Sequence, residues 1–410
     1  MRTFAGVEHS TAAPARTALF LQFLKIGATA FGGNVALVGA IREQVVKKKQ
    51  WLPDTDVIDG TTLASVLPGP LATNVTAFIG YRLRGYTGAL LCLGAVLLPS
   101  FILVCVLSWL YFRYGKIPAA EHIFSGLQPA VAAIILAAAI DMARKNVKTV
   151  LQWLLVALGC AAMLLLGGFW TTLGVIIGSG LLGYFLFRKS AAVLPPQKPA
   201  IKRSLRREFT PWIFVAAGIA AAFAAWYVAG TATTREQLRA AGSLGTTFGG
   251  MSVTLFGGGY VFIAAIKDVV VATHGWVTTT EFTDGIAMGQ ITPGPIMITA
   301  TFIGWKVAGL TGALVSTVAI FVPPATVTVI ASQYLDRIRG NVTVEAIFSG
   351  LRPGVIGLIF AAVVFFAKDI SLCWQSFTIF AFVLLTALFI KKIDQALLIP
   401  VAGLLGYLLY

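Results

Sequence analysis

Two cations lie inside long apolar stretches of this chain. Lys25 sits about nine residues into the first of them, and Arg352 some seven residues past Glu345 at the head of another. Charge in such surroundings is costly and marks a functional candidate. A second resource is the backbone. Pro68-Gly69-Pro70 and Pro293-Gly294-Pro295 each interrupt an apolar segment, because proline lacks the amide proton and clashes with the preceding turn. Where a helix restarts after such a break, its free N–H groups and positive dipole end form a ready oxyanion site. Gly32, Gly33, Gly257 and Gly258 offer the same from neighbouring segments, and Asn34, Asn74 and Gln290 add side-chain donors. The set describes a site for one small anion, with a deep cation from each half of the chain.

Carboxylates that could carry a proton come in related pairs, Asp59 with Asp284 and Glu121 with Glu345. At the mouth of a low-dielectric cavity a carboxyl can load and release protons near neutral pH. Asp56 with Glu281 and Glu43 with Asp268 form two more pairs, which at helix ends also serve as caps. Catalytic constellations are missing. His9, His122 and His274 are far apart, and Asp54-Thr55-Asp56 has Thr279-Thr280-Glu281 as its counterpart. Cys92, Cys105, Cys160 and Cys373 are scattered singly. The sequence therefore predicts no enzyme, no catalytic residue, no metal site and no cofactor.

The elements that must position these groups are helices in a bilayer. Hydrophobic residues make up 58% of 410 positions and charged residues 11%, which places the chain among all-α polytopic membrane proteins. An internal repeat organises it. Phe31-Gly32-Gly33 meets Phe256-Gly257-Gly258 at an offset of 225, as do both Pro-Gly-Pro triplets. At 224, Phe78-Ile79-Gly80 meets Phe302-Ile303-Gly304, and Ile123–Leu127 meets Ile347–Leu351. The reading is a first repeat at 1–187, a basic linker with one connecting span at 188–241, and a second repeat at 242–410. Each half offers six candidate spans, near 17–41, 61–82, 86–112, 121–143, 149–166 and 168–187 in the first. With the apolar run 211–230 between the halves the total is about thirteen, some broken at Pro-Gly-Pro. An odd number before the second repeat makes the two six-span repeats inverted, a recurring design of secondary transporters.

The net charge of +15 lies mostly in short loops and points to lipid headgroups, with no nucleic-acid partner. On this topology 19 Lys and Arg fall on the N-terminal face and ten on the other, which puts the N-terminus in the cytoplasm. Lys47-Lys48-Lys49 falls on the wrong side.

The paired Phe-Gly-Gly segments, the Trp followed by an acidic stretch, the doubled Pro-Gly-Pro and the following Phe-Ile-Gly resemble the long-chain, two-domain members of the chromate ion transporter family. The resemblance covers nearly the whole chain. It implies a multi-pass protein of the bacterial or archaeal cytoplasmic (inner) membrane that exports chromate, gives resistance to it and is driven by the proton motive force. It carries over onto Phe31, Gly32, Gly33, Pro68, Gly69, Pro70, Phe256, Gly257, Gly258, Pro293, Gly294 and Pro295. Sulfate, a tetrahedral dianion like chromate, is the alternative substrate, by transport or exchange, and a passive anion channel is the alternative mechanism. The bilayer is the expected surrounding, and a homodimer is left open.

Overall fold

Long runs of Leu, Val, Ala and Phe between Gly and Pro punctuation form helices, and every regular element among the described residues is helical. A computed structural model describes residues 14–30, 33–114, 118–188, 235–254, 266–334, 342–370, 373–390 and 395–410. The first half holds α1 (Arg16–Thr29), α2 (Gly33–Ile41) with a π-helical continuation Arg42–Lys48, α3 (Asp54–Val66), α4 (Leu71–Tyr114), α5 (Pro118–Asn146), α6 (Val150–Leu166) and α7 (Gly168–Phe187). The second holds α8 (Arg235–Thr254), a π-helical turn Asp268–Thr273, α9 (Thr279–Ile291), a 3-10 turn Ile296–Ile298, α10 (Thr299–Ala331), α11 (Val342–Asp369), α12 (Trp374–Phe389) and α13 (Gln395–Leu409). Five helical stretches are long and apolar enough to cross a membrane, within α4, α5, α7, α10 and α11, and three shorter apolar ones lie in α6, α12 and α13. The connecting run at 211–230 and the linker lie outside the described residues.

The sequence repeat is matched in backbone geometry. Both π-helical turns end at a Lys49 or His274 with nearly the same angles, and Gln50 and Gly275 follow with φ of 52° and 62°. Farther on, α4 turns a corner at Arg84 (φ −143°, ψ 24°) and Gly85 (65°, −150°), and α10 does so at Ala308 (−144°, 30°) and Gly309 (59°, −146°).

These breaks reverse the chain. Gly60 and Phe78, nine residues either side of Gly69, are in contact, and Asp56 and Arg82, thirteen either side, are ion-paired. The second Pro-Gly-Pro has the same arrangement, with Gly285 against Phe302 and Glu281 paired to Lys306. Each triplet is thus the tip of a helical hairpin. The expected single span 61–82 is two arms of about thirteen residues, near 20 Å each and too short to cross a core of ~30 Å. The expected span 17–41 also falls into two arms, α1 and α2, on either side of residues 31–32. Gln22 donates to Gln44 at 3.1 Å, eleven residues either side of Gly33. Beyond the first Pro-Gly-Pro hairpin, the backbones of Gly80 and Gly88 touch across the corner, where a straight helix would hold them about 12 Å apart. Gly304 and Gly312 repeat this contact.

The halves also exchange helices. α5 packs on α12 and α13 of the second half, and α11 packs on α6 and α7 of the first. The crossings are backbone-close, with Gly126 on Ala402 and Gly406, and Gly350 on Ser179 and Gly183.

Candidate functional site

The hairpin tips are held by contacts from the opposite half. Proline rings flanking a glycine fix an extended turn, and only glycine accepts the φ of +95° at Gly69 and +112° at Gly294. Gly69 rests on the Pro324 ring of α10, and Gly294 rests on the hydroxyl of Ser100 in α4. Ser100 and Pro324 are themselves equivalent in the repeat. The Ser100 hydroxyl donates to the Pro293 carbonyl, and the Gly294 amide donates to the Ala30 carbonyl at the end of α1, at 3.0 Å. One bond therefore brings the second Pro-Gly-Pro tip to the C-terminal end of α1. All six residues of the two triplets are buried.

Donors at the tips divide into used and unused. Asn74 is fully buried and its amide donates to the Pro68 carbonyl at 2.9 Å, so it holds the tip in shape. Gln290, in the last turn of α9, is also buried, and its amide nitrogen has no hydrogen-bond partner among the described residues. The first-turn N–H groups of α4 lack intrahelical acceptors, as the first turn of any helix does, whereas the Ile298 N–H donates to the Pro295 carbonyl at 3.0 Å. Threonines fill the surrounding polar positions. Thr73 donates to the Pro70 carbonyl, Thr299 to that of Ile296, and Thr292 to that of Gly289.

The predicted cations are placed differently from each other. Lys25 is exposed on α1 and makes no ion pair among the described residues, whereas Arg352 on α11 bonds Glu345 at 3.2 Å and lies over the Phe348 ring. No bond joins the two. Of the predicted glycines, Gly33 opens α2, while Gly32, Gly257 and Gly258 lie outside the described residues, as do the side chains of Asn34 and Glu121.

The carboxylates separate into clamps and buried groups. Asp56 accepts from Arg82 Nε at 2.9 Å, and Glu281 pairs with Lys306 and caps α9 through Thr278. Arg82→Ala leaves Asp56 buried without its partner and is expected to cost about 3 kcal/mol. The double variant Arg82→Ala/Asp56→Ala should recover most of that, read as thermal stability in detergent. Where the π-helical continuation and α3 begin, exposed Arg42 bonds Asp54 and holds its carboxyl below the usual carboxylate range. Asp59 and Asp284 are both buried, at 3% and 2% exposure. Tyr111, from the far end of α4, donates to Asp284 Oδ2 at 2.7 Å. This partner is 173 residues away in sequence and could not be read from it; the buried position of Asp284 was the only signal.

The family model described as "Chromate transporter" matches residues 17–184 and 242–407 of this chain. The chain is 32% identical over 392 residues to a probable chromate transport protein of Synechococcus elongatus, covering 95% of this chain and 94% of that protein. It is 29% identical over 427 residues to a chromate transport protein of Cupriavidus metallidurans, covering 100% and 96%. A chromate transport protein of Pseudomonas aeruginosa is 30% identical over 403 residues, with 96% and 92% covered. No solved structure is significantly similar.

Proposed function

The chain belongs to the chromate transporter family, whose members are transporters and not enzymes, and from that premise we propose that it is a secondary carrier that exports chromate across the cytoplasmic membrane. The observation that carries the site is the meeting of the Pro-Gly-Pro tips with helices of the opposite half. We read the helix N-termini at the tips, the Gln290 amide, which has no partner among the described residues, and the buried threonines as the lining of one interior site. A tetrahedral dianion is matched by such donors. Of the two predicted cations, Lys25 is the one without a carboxylate partner among the described residues, and we assign to it the attraction of the substrate's charge.

The hairpins bear on topology. If each returns to the face it enters, a half contributes four crossings, and the run at 211–230 still inverts the second half relative to the first. The total is then nine. Residues 42–53 move to the N-terminal face and Lys267 to the other, so the Lys and Arg division becomes 22 to seven instead of 19 to ten. Lys47-Lys48-Lys49 now agrees with a cytoplasmic N-terminus. With the cell interior negative, export of a dianion is downhill by roughly 4.6 kcal/mol at 100 mV, and chromate resistance follows from it.

The test uses the purified chain in liposomes loaded with labelled chromate under an inside-negative potential. Saturable efflux inhibited by sulfate is expected, and flux that never saturates would mean a channel. Gln290→Ala and Lys25→Ala should each raise half-saturation about tenfold, the equivalent of one lost hydrogen bond to a charged group. Unchanged half-saturation removes that residue from the site.

A further inference from the structure

Asp284 is a buried carboxyl on α9 with one oxygen bonded and one left over. Tyr111 donates to Oδ2, while Oδ1 has no hydrogen-bond partner among the described residues. The Gln128 side chain of α5 lies beside the same group. The other charges near it are already spent. Glu281, one turn earlier, is closed by Lys306, whose ammonium also lies over Phe112. On α11, Arg352 and Glu345 pair with each other, and Lys267 lies over Phe366. Among the described residues neither Arg113 on α4 nor His122 on α5 bonds it, and the titratable group that α13 adds is the exposed Tyr407.

We propose that Asp284 is the proton-accepting group of this carrier, taking a proton on Oδ1 while Tyr111 of the other half holds Oδ2. An ionised carboxylate without a counter-charge is costly in such surroundings, and protonation removes the cost. One proton from water bonds to Oδ1, Tyr111 keeps its own, and Oδ2 becomes the carbonyl oxygen that still accepts from it. Gln128 suits both states, because an amide can donate to the carboxylate and, turned over, accept from the acid. Its repeat equivalent is Arg352, which only donates. Coupling is assigned to Asp284 on the strength of Tyr111 and Gln128 beside it. This inference rests on the carrier reading. In the orientation proposed above, the base of the second Pro-Gly-Pro hairpin faces outward, so the proton enters from the side where the proton motive force supplies it.

The experiment compares wild type, Asp284→Asn and Tyr111→Phe in full-length protein reconstituted in lipid. Infrared difference spectra between acid and alkaline buffer should show a protonated-carboxyl stretch in wild type that Asp284→Asn loses. Tyr111→Phe should move that band to higher frequency, since the carbonyl loses its donor. Under clamped potential, an inward proton gradient should speed chromate efflux in wild type and at least tenfold less in Asp284→Asn, with chromate exchange at zero gradient retained. A band or a proton response that survives Asp284→Asn overturns the proposal. Should that variant fail to assemble, an unmoved band in Tyr111→Phe overturns it equally. Absence of any wild-type chromate flux instead defeats the carrier reading and leaves the spectral result standing.

Discussion

Replacing Gly69 by alanine is expected to abolish transport and to lower stability by several kcal/mol, on the order of the two costs that follow. Two costs add. The backbone at φ +95° lies outside the region that alanine occupies comfortably, a penalty on the order of 1–3 kcal/mol. The new methyl would also overlap the Pro324 ring, which has no free rotamer to turn away, and overpacking of that kind costs a further ~1–3 kcal/mol. Gly294→Ala carries the same backbone penalty, but its obstacle is the hydroxyl of Ser100. That difference gives a control. Ser100→Ala should partly restore Gly294→Ala, because it removes the overlapping oxygen, although it also gives up the bond to the Pro293 carbonyl. Pro324→Ala keeps the β-carbon, the atom nearest the new methyl, and should not restore Gly69→Ala. Melting in detergent and chromate efflux from liposomes measure both. Equal and mild effects at the two glycines would show that the tips are not packed against the opposite half.

The sequence disclosed the tips and not the hairpins. Pro-Gly-Pro is visible in any reading because proline and glycine act locally. Reversal is set by contacts across the turn. A run of about twenty apolar residues satisfies the length criterion for one crossing as well as for two short arms. The signal that separates them was present, in Asp56 with Arg82 and Glu281 with Lys306, each pair spaced evenly about its own triplet. Taken as proton carriers, those acids hid their role as clamps. The corner at Arg84-Gly85 had even less to betray it, since its counterpart is Ala308-Gly309 and only the glycine is shared. Asn74 has a role that its residue type did not disclose, since one of its amide N–H groups closes the tip that it was expected to complete. Partners drawn from the other half, such as Ser100 for Pro293 and Tyr111 for Asp284, depend on how the halves dock, which no local pattern records.

That docking supplies the second large effect, at Gly350. Its α-carbon faces the backbone of Ser179 and Gly183 on α7, so that a side chain there has to displace main chain and cannot be absorbed by a rotamer change. Gly126 stands in the equivalent place against Ala402 and Gly406. Small residues that let backbones approach are what hold helices together in a bilayer, where burial of apolar surface supplies no drive. Gly350→Val is therefore expected to cost roughly 2–3 kcal/mol or more. The chain offers its own control in Gly178, on α7 with open space where its side chain would be; Gly178→Val should leave packing unchanged. Because α11 belongs to the second half and α7 to the first, the loss falls on the association of the halves. Cutting the chain within the linker between 189 and 210 and co-expressing the pieces isolates that step. Wild-type pieces should co-purify, and Gly350→Val or Gly126→Val should weaken their association on the order of 30- to 100-fold. Co-purification that resists both valines would mean that the halves are held by the hairpin tips alone, and the exchange of helices would then have no part in joining them.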